Sequence, residues 1–142
     1  MNRLSAIASA ALLLAACQSG EGEAGSGPTP AYSGIGENER VYLTGTEPFW
    51  GGEIAGGEAL YTTPENQDGT RFGIERFAGN NGLSFTGNID GRSFALMVTP
   101  GDCSDGMSDR TYPFVATLNL DGEQREGCAW TDKQAFSGPS NP

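Results

Sequence analysis

The chain has 142 residues, with 18 acidic side chains against eight basic ones, 22 glycines, three cysteines and no histidine. That acidic excess excludes nucleic acid, whose phosphates demand clustered Lys and Arg, and a polybasic lipid-binding surface. The missing histidine removes Ser-His-Asp and Cys-His catalysis and most zinc sites.

Asn2 and Arg3 precede a run from Leu4 to Ala16 in which every residue except Ser5 and Ser9 is Ala, Leu or Ile. Thirteen residues are too few for a bilayer-spanning helix, which needs about 20, but they have the basic start and small-residue end of a secretory signal. Leu14-Ala15-Ala16-Cys17 adds the pattern of a bacterial lipoprotein cleavage site. A cut before Cys17 leaves its sulfur free to carry a diacylglycerol. Each buried CH₂ adds about 0.8 kcal/mol, so one acyl chain holds marginally and several anchor stably. In such lipoproteins an Asp after the Cys retains the protein in the inner membrane. Gln18 stands there, so the expected place is the outer membrane, facing the periplasm. A plain exported protein with an unused thiol is the alternative.

Residues 17–38 read as the lipidated Cys followed by a flexible tether, rich in Gly, Ser, Glu, Ala and Pro, with Ile35 the only aliphatic residue larger than Ala. Such a segment buries too little apolar surface to offset its ordering entropy. Residues 39–134 form the single domain that the length allows, and 135–142 read as a disordered tail.

Within the domain the pattern is β. Short strands are predicted over Arg40–Thr44, Trp50–Ile54 and Ala59–Thr63. Asn80-Asn81-Gly82 separates Phe72 and Ile74 from Leu83 and Phe85. Asp90-Gly91 separates Leu83, Phe85 and Ile89 from Phe94, Leu96 and Val98. Asp121-Gly122 separates Tyr112, Phe114, Ala116, Leu118 and Leu120 from Cys128 and Trp130. Asn-Gly and Asp-Gly supply the positive φ values of two-residue turns, and the flanking runs alternate with period two. About eight strands result, each beside the next, with no amphipathic helix. A meander of this length must close or pack two sheets, because open edges invite aggregation. The expected fold is all-β: a small, closed or nearly closed antiparallel barrel, with a flattened β-sandwich as the alternative.

With Cys17 acylated, Cys103 and Cys128 are left to pair, in a compartment where disulfides persist. The bond would close a 26-residue segment, contribute roughly 3–4 kcal/mol by chain entropy, and tie the loop before the penultimate strand to the last strand, securing a C-terminal edge. A free thiol pair is the alternative.

Two segments are candidates for function. In Gly45-Thr46-Glu47-Pro48-Phe49-Trp50, Pro48 ends a ladder and Gly45 permits a sharp turn. Phe49 or Trp50 either plugs one barrel end, with Arg110 or Arg125 over the indole, or Trp50 and Glu47 form an aromatic and carboxylate lip that grips a ligand. In the segment from Gly101 to Pro113, Asp102, Asp105 and Asp109 lie close together around Gly106. Hard cations want such oxygens, but the spacing is not that of the helix–loop–helix calcium site and the bidentate Glu is missing, so no metal is assigned. The competing reading has Asp and Ser shaping the loop through backbone amides, with Arg110 paired to an Asp. The candidate binding set is Glu47, Trp50, Asp105, Asp109, Arg110 and Tyr112.

These segments, with Cys103-Ser104-Asp105-Gly106-Met107-Ser108-Asp109-Arg110-Thr111-Tyr112-Pro113 and the final Gly127-Cys128, resemble an uncharacterised bacterial family. Its members are described as predicted membrane proteins or lipoproteins, some beside META-type domains. The resemblance runs from about Tyr42 to Trp130 and implies an exported β domain with a paired Cys; the family has no assigned activity or catalytic residues to carry over. The layout is more distantly similar to membrane-bound inhibitors of C-type lysozyme, at the level of architecture only.

The expectation is therefore a membrane-anchored envelope lipoprotein that is not an enzyme, needs no cofactor, and acts as a binding module. Its acidic loop and aromatic lip would recognise an envelope protein, a basic protein such as a lysozyme, or cell-wall glycan. A structural, envelope-maintaining role in which both motifs serve only the fold is the alternative. A carboxylate pair such as Glu47 with Asp105 or Asp109 is the one arrangement left for glycan cleavage.

Overall fold

The computed structural model describes residues 27–141. The signal segment and Cys17 lie outside the described residues. Eight strands follow one another in chain order: β1 (Val41–Thr46), β2 (Phe49–Ala55), β3 (Glu58–Thr63), β4 (Asn66–Ala78), β5 (Leu83–Ile89), β6 (Arg92–Cys103), β7 (Tyr112–Leu120) and β8 (Glu123–Thr131). Each pairs antiparallel with the next, and β8 returns to β1, so the meander is a closed barrel rather than a sandwich.

The turns do what their residues dictate. Asp90 and Gly91 take φ values of 50° and 80°, and Asp121 and Gly122 take 52° and 89°. Both are the mirror-image turns whose twist suits adjacent antiparallel strands. Between them the alternation sets the register. Phe94, Leu96 and Val98 of β6 face inward while Ala95 and Met97 face out, and Phe114, Ala116, Leu118 and Leu120 of β7 do the same. A slip of one residue would put Met97 inside and Leu96 in water.

The β1–β2, β3–β4, β5–β6 and β7–β8 turns gather at one rim of the barrel; the other rim is plugged. Ile35, 1% exposed, inserts there into the core, beside Val41, Ile54 and Phe85. Arg76 Nη2 donates to the Ile35 carbonyl at 2.9 Å, the Tyr32 amide to the Gly79 carbonyl at 2.7 Å, and Gln134 Nε2 to the Gly34 carbonyl at 2.7 Å. Beneath them Glu39 accepts bonds from the Thr131 hydroxyl and the Gly36 amide. Those bonds outweigh burial, which opposes them, and hold the Glu39 carboxyl below the usual range. The folded unit thus begins before residue 39. A single aliphatic side chain in a polar stretch has little weight by composition, yet here it fills the barrel end.

The expected disordered tail is also docked. Phe136 packs on Tyr112 and Trp130 at centroid distances of 5.5 and 5.7 Å, and Ser137 exchanges backbone bonds with Thr111. The chain enters and leaves the barrel at neighbouring points: the Asp132 amide donates to the Arg40 carbonyl at 3.3 Å, and the Arg40 amide to Asp132 Oδ1 at 3.2 Å.

Ile35→Ala is expected to cost roughly 2–5 kcal/mol through the cavity it leaves, lowering the thermal midpoint by roughly 10 °C or more. Differential scanning calorimetry of the full chain checks this; a midpoint unchanged within a degree or two would return residue 35 to the tether.

Candidate functional site

The β1–β2 hairpin and the β6–β7 loop meet on one side of the barrel. Gly45 lies directly opposite Trp50 in the ladder, on the inward face. The indole lies flat over Gly45 and against Gly127, and a Cβ at either position would collide with its ring. Trp50 is 4% exposed, stacks on Tyr61 at 6.2 Å and donates its Nε1 hydrogen to the Glu126 carbonyl at 3.3 Å. The indole therefore belongs to the core and forms no lip. Nor does an arginine cover it: Arg110 lies 4.3 Å over the Phe136 ring, and Arg125 reaches the Tyr61 hydroxyl.

Period two then requires the residue before Trp50 to point outward. Phe49 does so and is 51% exposed. It takes the place on the rim that the lip reading gave to Trp50, next to the exposed Glu47.

Cys103 and Cys128 are bonded, with Cα atoms 5.6 Å apart. Cys103 ends β6 rather than lying in the following loop. Cys128 alternates with the core residue Ala129, so it faces outward, yet it is buried. The cover comes from the β6–β7 loop, which the disulfide pulls across the outer face of β8 until the Asp105 carbonyl accepts the Thr46 hydroxyl at 3.1 Å. Since β8 pairs with β1, the bond secures no edge. It clamps a loop.

Asp105 organises that loop. Its carboxylate accepts the amides of Met107 and Ser108 at 2.9 and 2.8 Å and the hydroxyls of Ser108 and Tyr112 at 2.7 and 3.1 Å. The Ser108 amide is the main cause of a pKa lowered to about 2, against the opposing effect of burial. Tyr112 joins an exterior aromatic stack in which Trp130 lies between Tyr42 at 5.4 Å and Tyr112 at 5.3 Å. Arg110 does not pair with an Asp. It donates to the carbonyls of Pro139 (2.8 Å) and Ser140, because the docked C-terminal segment brings those acceptors to it. Asp109 is exposed. Among the described residues no group of three or more Cys, Asp or Glu side chains is arranged to hold a metal ion.

Of the six candidate residues, Trp50 is spent on the core, Asp105 and Tyr112 on the loop, and Arg110 on the C-terminal segment. Glu47 remains. It lines a groove of about 450 Å³ with Phe49, Ser104, Gly106, Met107 and Glu126. Met107 is 69% exposed, so two large apolar side chains stand in water between two carboxylates. Phe49 was legible from its parity with Trp50. Met107 and Glu126 had no such signal, because the disulfide that brings the loop onto β8 sets their meeting. Comparison with protein-family models, characterised proteins and solved structures finds no match to this chain.

Asp105→Asn keeps the shape of the side chain and removes the charge. The folded-state pKa lies below the value of about 3.9 for an unfolded Asp, so the charge stabilises the protein above about pH 4, and that advantage fades as pH falls toward 2. At pH 7 the variant is expected to be less stable by about 1–2 kcal/mol, since bonds to a charged acceptor are worth more than neutral ones but this site is partly solvated. Thermal midpoints of the two proteins should differ by roughly 5–10 °C at pH 7 and converge by pH 2. A gap independent of pH would show that the charge is not what orders the loop.

Proposed function

We propose that the chain is a lipid-anchored envelope protein whose barrel serves as a non-catalytic binding module for a basic protein segment. The groove between Glu47 and Glu126 carries the reading: Phe49 and Met107 offer apolar contact to the stem of a Lys or Arg, and the flanking carboxylates suit its charged head. The formal net charge of −10 favours encounter with a cationic partner. The loop bearing Met107 is fixed in advance by the disulfide and by Asp105, so little ordering entropy opposes binding.

The address rests on Leu14-Ala15-Ala16-Cys17 and Gln18. In this reading acyl chains on Cys17 hold the barrel at the outer membrane, facing the periplasm, and the resemblance to exported lipoproteins agrees with it. An envelope-structural role draws its support from a different observation: Trp50, Asp105 and Tyr112, three residues of the recognisable motifs, are used inside the fold.

Two experiments separate these readings. In a bacterial host grown with labelled palmitate, the full chain is expected to take up label and fractionate with membranes, while Cys17→Ser is unlabelled and released in soluble form; label persisting in Cys17→Ser would remove the anchor. A C-type lysozyme, used as a basic probe, is expected to bind the full chain with an affinity that falls as salt rises. Phe49→Ala combined with Met107→Ala should weaken it roughly tenfold or more, the scale of a lost apolar hot spot. Undiminished binding by the double variant moves the contact elsewhere, and no binding by either protein favours the structural role.

A further inference from the structure

On the far side of Phe49 the barrel mouth presents guanidinium groups as well as carboxylates. The core there ends in Tyr61, whose hydroxyl accepts the Nη1 hydrogen of Arg125 at 2.6 Å. Arg125 is largely buried for an arginine, and its Nε hydrogen goes to Glu123 at 3.1 Å. Tyr61 and Glu123 thus fix the guanidinium while the remaining hydrogens of the fork are left uncommitted to them. Arg92, at the β5–β6 turn, is in none of the ion pairs found among the described residues. It lies close enough for its charge to act on the Tyr61 hydroxyl. A concavity of about 560 Å³ opens over these groups, with Phe49, Pro64 and Leu120 as apolar walls.

We propose that this mouth is a binding site for a carboxylate carried on a ring-sized body, such as an acidic sugar or an aromatic acid. A guanidinium pre-set by its own hydrogen bonds matches the planar, two-oxygen geometry of a carboxylate. The Tyr61 hydroxyl, its lone pair occupied by Arg125, has its hydrogen left to donate. Burial raises its pKa, against the opposing charges of Arg125 and Arg92, so the phenol keeps that hydrogen at neutral pH. Phe49 and Pro64 offer faces for the ring. Glu65 on the rim and Glu123 behind Arg125 set the limit of charge. With these two carboxylates the surroundings are formally neutral, so recognition rests on the directed bonds of Arg125 and Tyr61, and a phosphate dianion is disfavoured relative to a monoanion. The site shares only Phe49 with the groove proposed for a basic protein, so either can fail without the other.

The test is a titration of the full chain, followed by ¹H–¹⁵N correlation spectra that include the arginine side-chain Nε signals. The probes are sodium D-glucuronate and sodium benzoate, with D-glucose and benzyl alcohol as neutral counterparts. Saturable shifts at Arg125 and Tyr61 are expected with at least one acid and with neither neutral compound. Arg92→Gln, a change at an exposed turn, should weaken binding roughly tenfold, the scale of a charge-assisted bond. Arg71→Gln, which breaks a surface pair with Glu58 on the barrel side, should leave binding unchanged. Saturation by glucuronate alone assigns a saccharide ligand, and by benzoate alone an aromatic acid. The proposal is overturned if neither acid saturates, if the neutral compounds bind as well, or if Arg71→Gln weakens binding as much as Arg92→Gln.

Discussion

Four cross-strand positions, from Val41 opposite Thr131 to Thr44 opposite Cys128, join β1 to β8, and the rest of the molecule is arranged around that ladder. It removes the two unpaired edges a meander would otherwise expose. On the outer face it sets Tyr42 on Trp130 and starts the aromatic stack that receives Phe136. On the inner face it brings Gly127 beside Thr44, and with Gly45 this leaves the flat niche that the Trp50 indole fills. The packing density of a protein interior makes such a niche intolerant of even one added methyl group. Gly45 of the first motif and Gly127 of the final Gly-Cys are therefore two walls of one socket, although 81 residues of sequence lie between them.

A filled interior decides where ligands can go. The concavity near Ile35 holds about 70 Å³, room for a couple of water molecules. Phe72, Phe94, Tyr61 and Trp50 pack in edge-on and stacked pairs beside the aliphatic core side chains such as Leu96, Val98 and Leu118. Recognition is thus confined to the outside and the rim, where turns and the clamped loop supply side chains that the core does not need. Phe49 sits at the dividing line, with Glu47 and Glu126 on one flank and the guanidinium groups of Arg92 and Arg125, beside Glu65, on the other.

The strands were legible because nearly every one obeys a simple physical rule. Alternation in β6 and β7 assigns each side chain to a face, and Asp-Gly pairs mark the turns with the φ values they require. Closure followed from the cost of open edges. Local rules failed where distant segments meet. Ile35 looks like part of a linker until a barrel end exists for it to fill, and Phe136 until Trp130 and Tyr112 form a surface. Asp105 read as one of three similar acids, and only the folded loop distinguishes the one surrounded by donors from its exposed neighbours. Arg110 was assigned an acidic partner from nearby sequence, whereas backbone carbonyls some 30 positions further along reach it first.

Arg40 and Asp132 bond to each other through main chain and side chain, so the barrel has no true first strand. Its numbering begins at Val41 only because the covalent chain happens to be interrupted at that point of the ring. A linker that keeps the docked segments bearing Ile35 and Phe136, with a new break at the Asp90–Gly91 turn, would preserve every strand-to-strand neighbour. Such a circular permutant would carry any fused anchor or reporter on the rim of turns, next to Arg92, instead of at the plugged face.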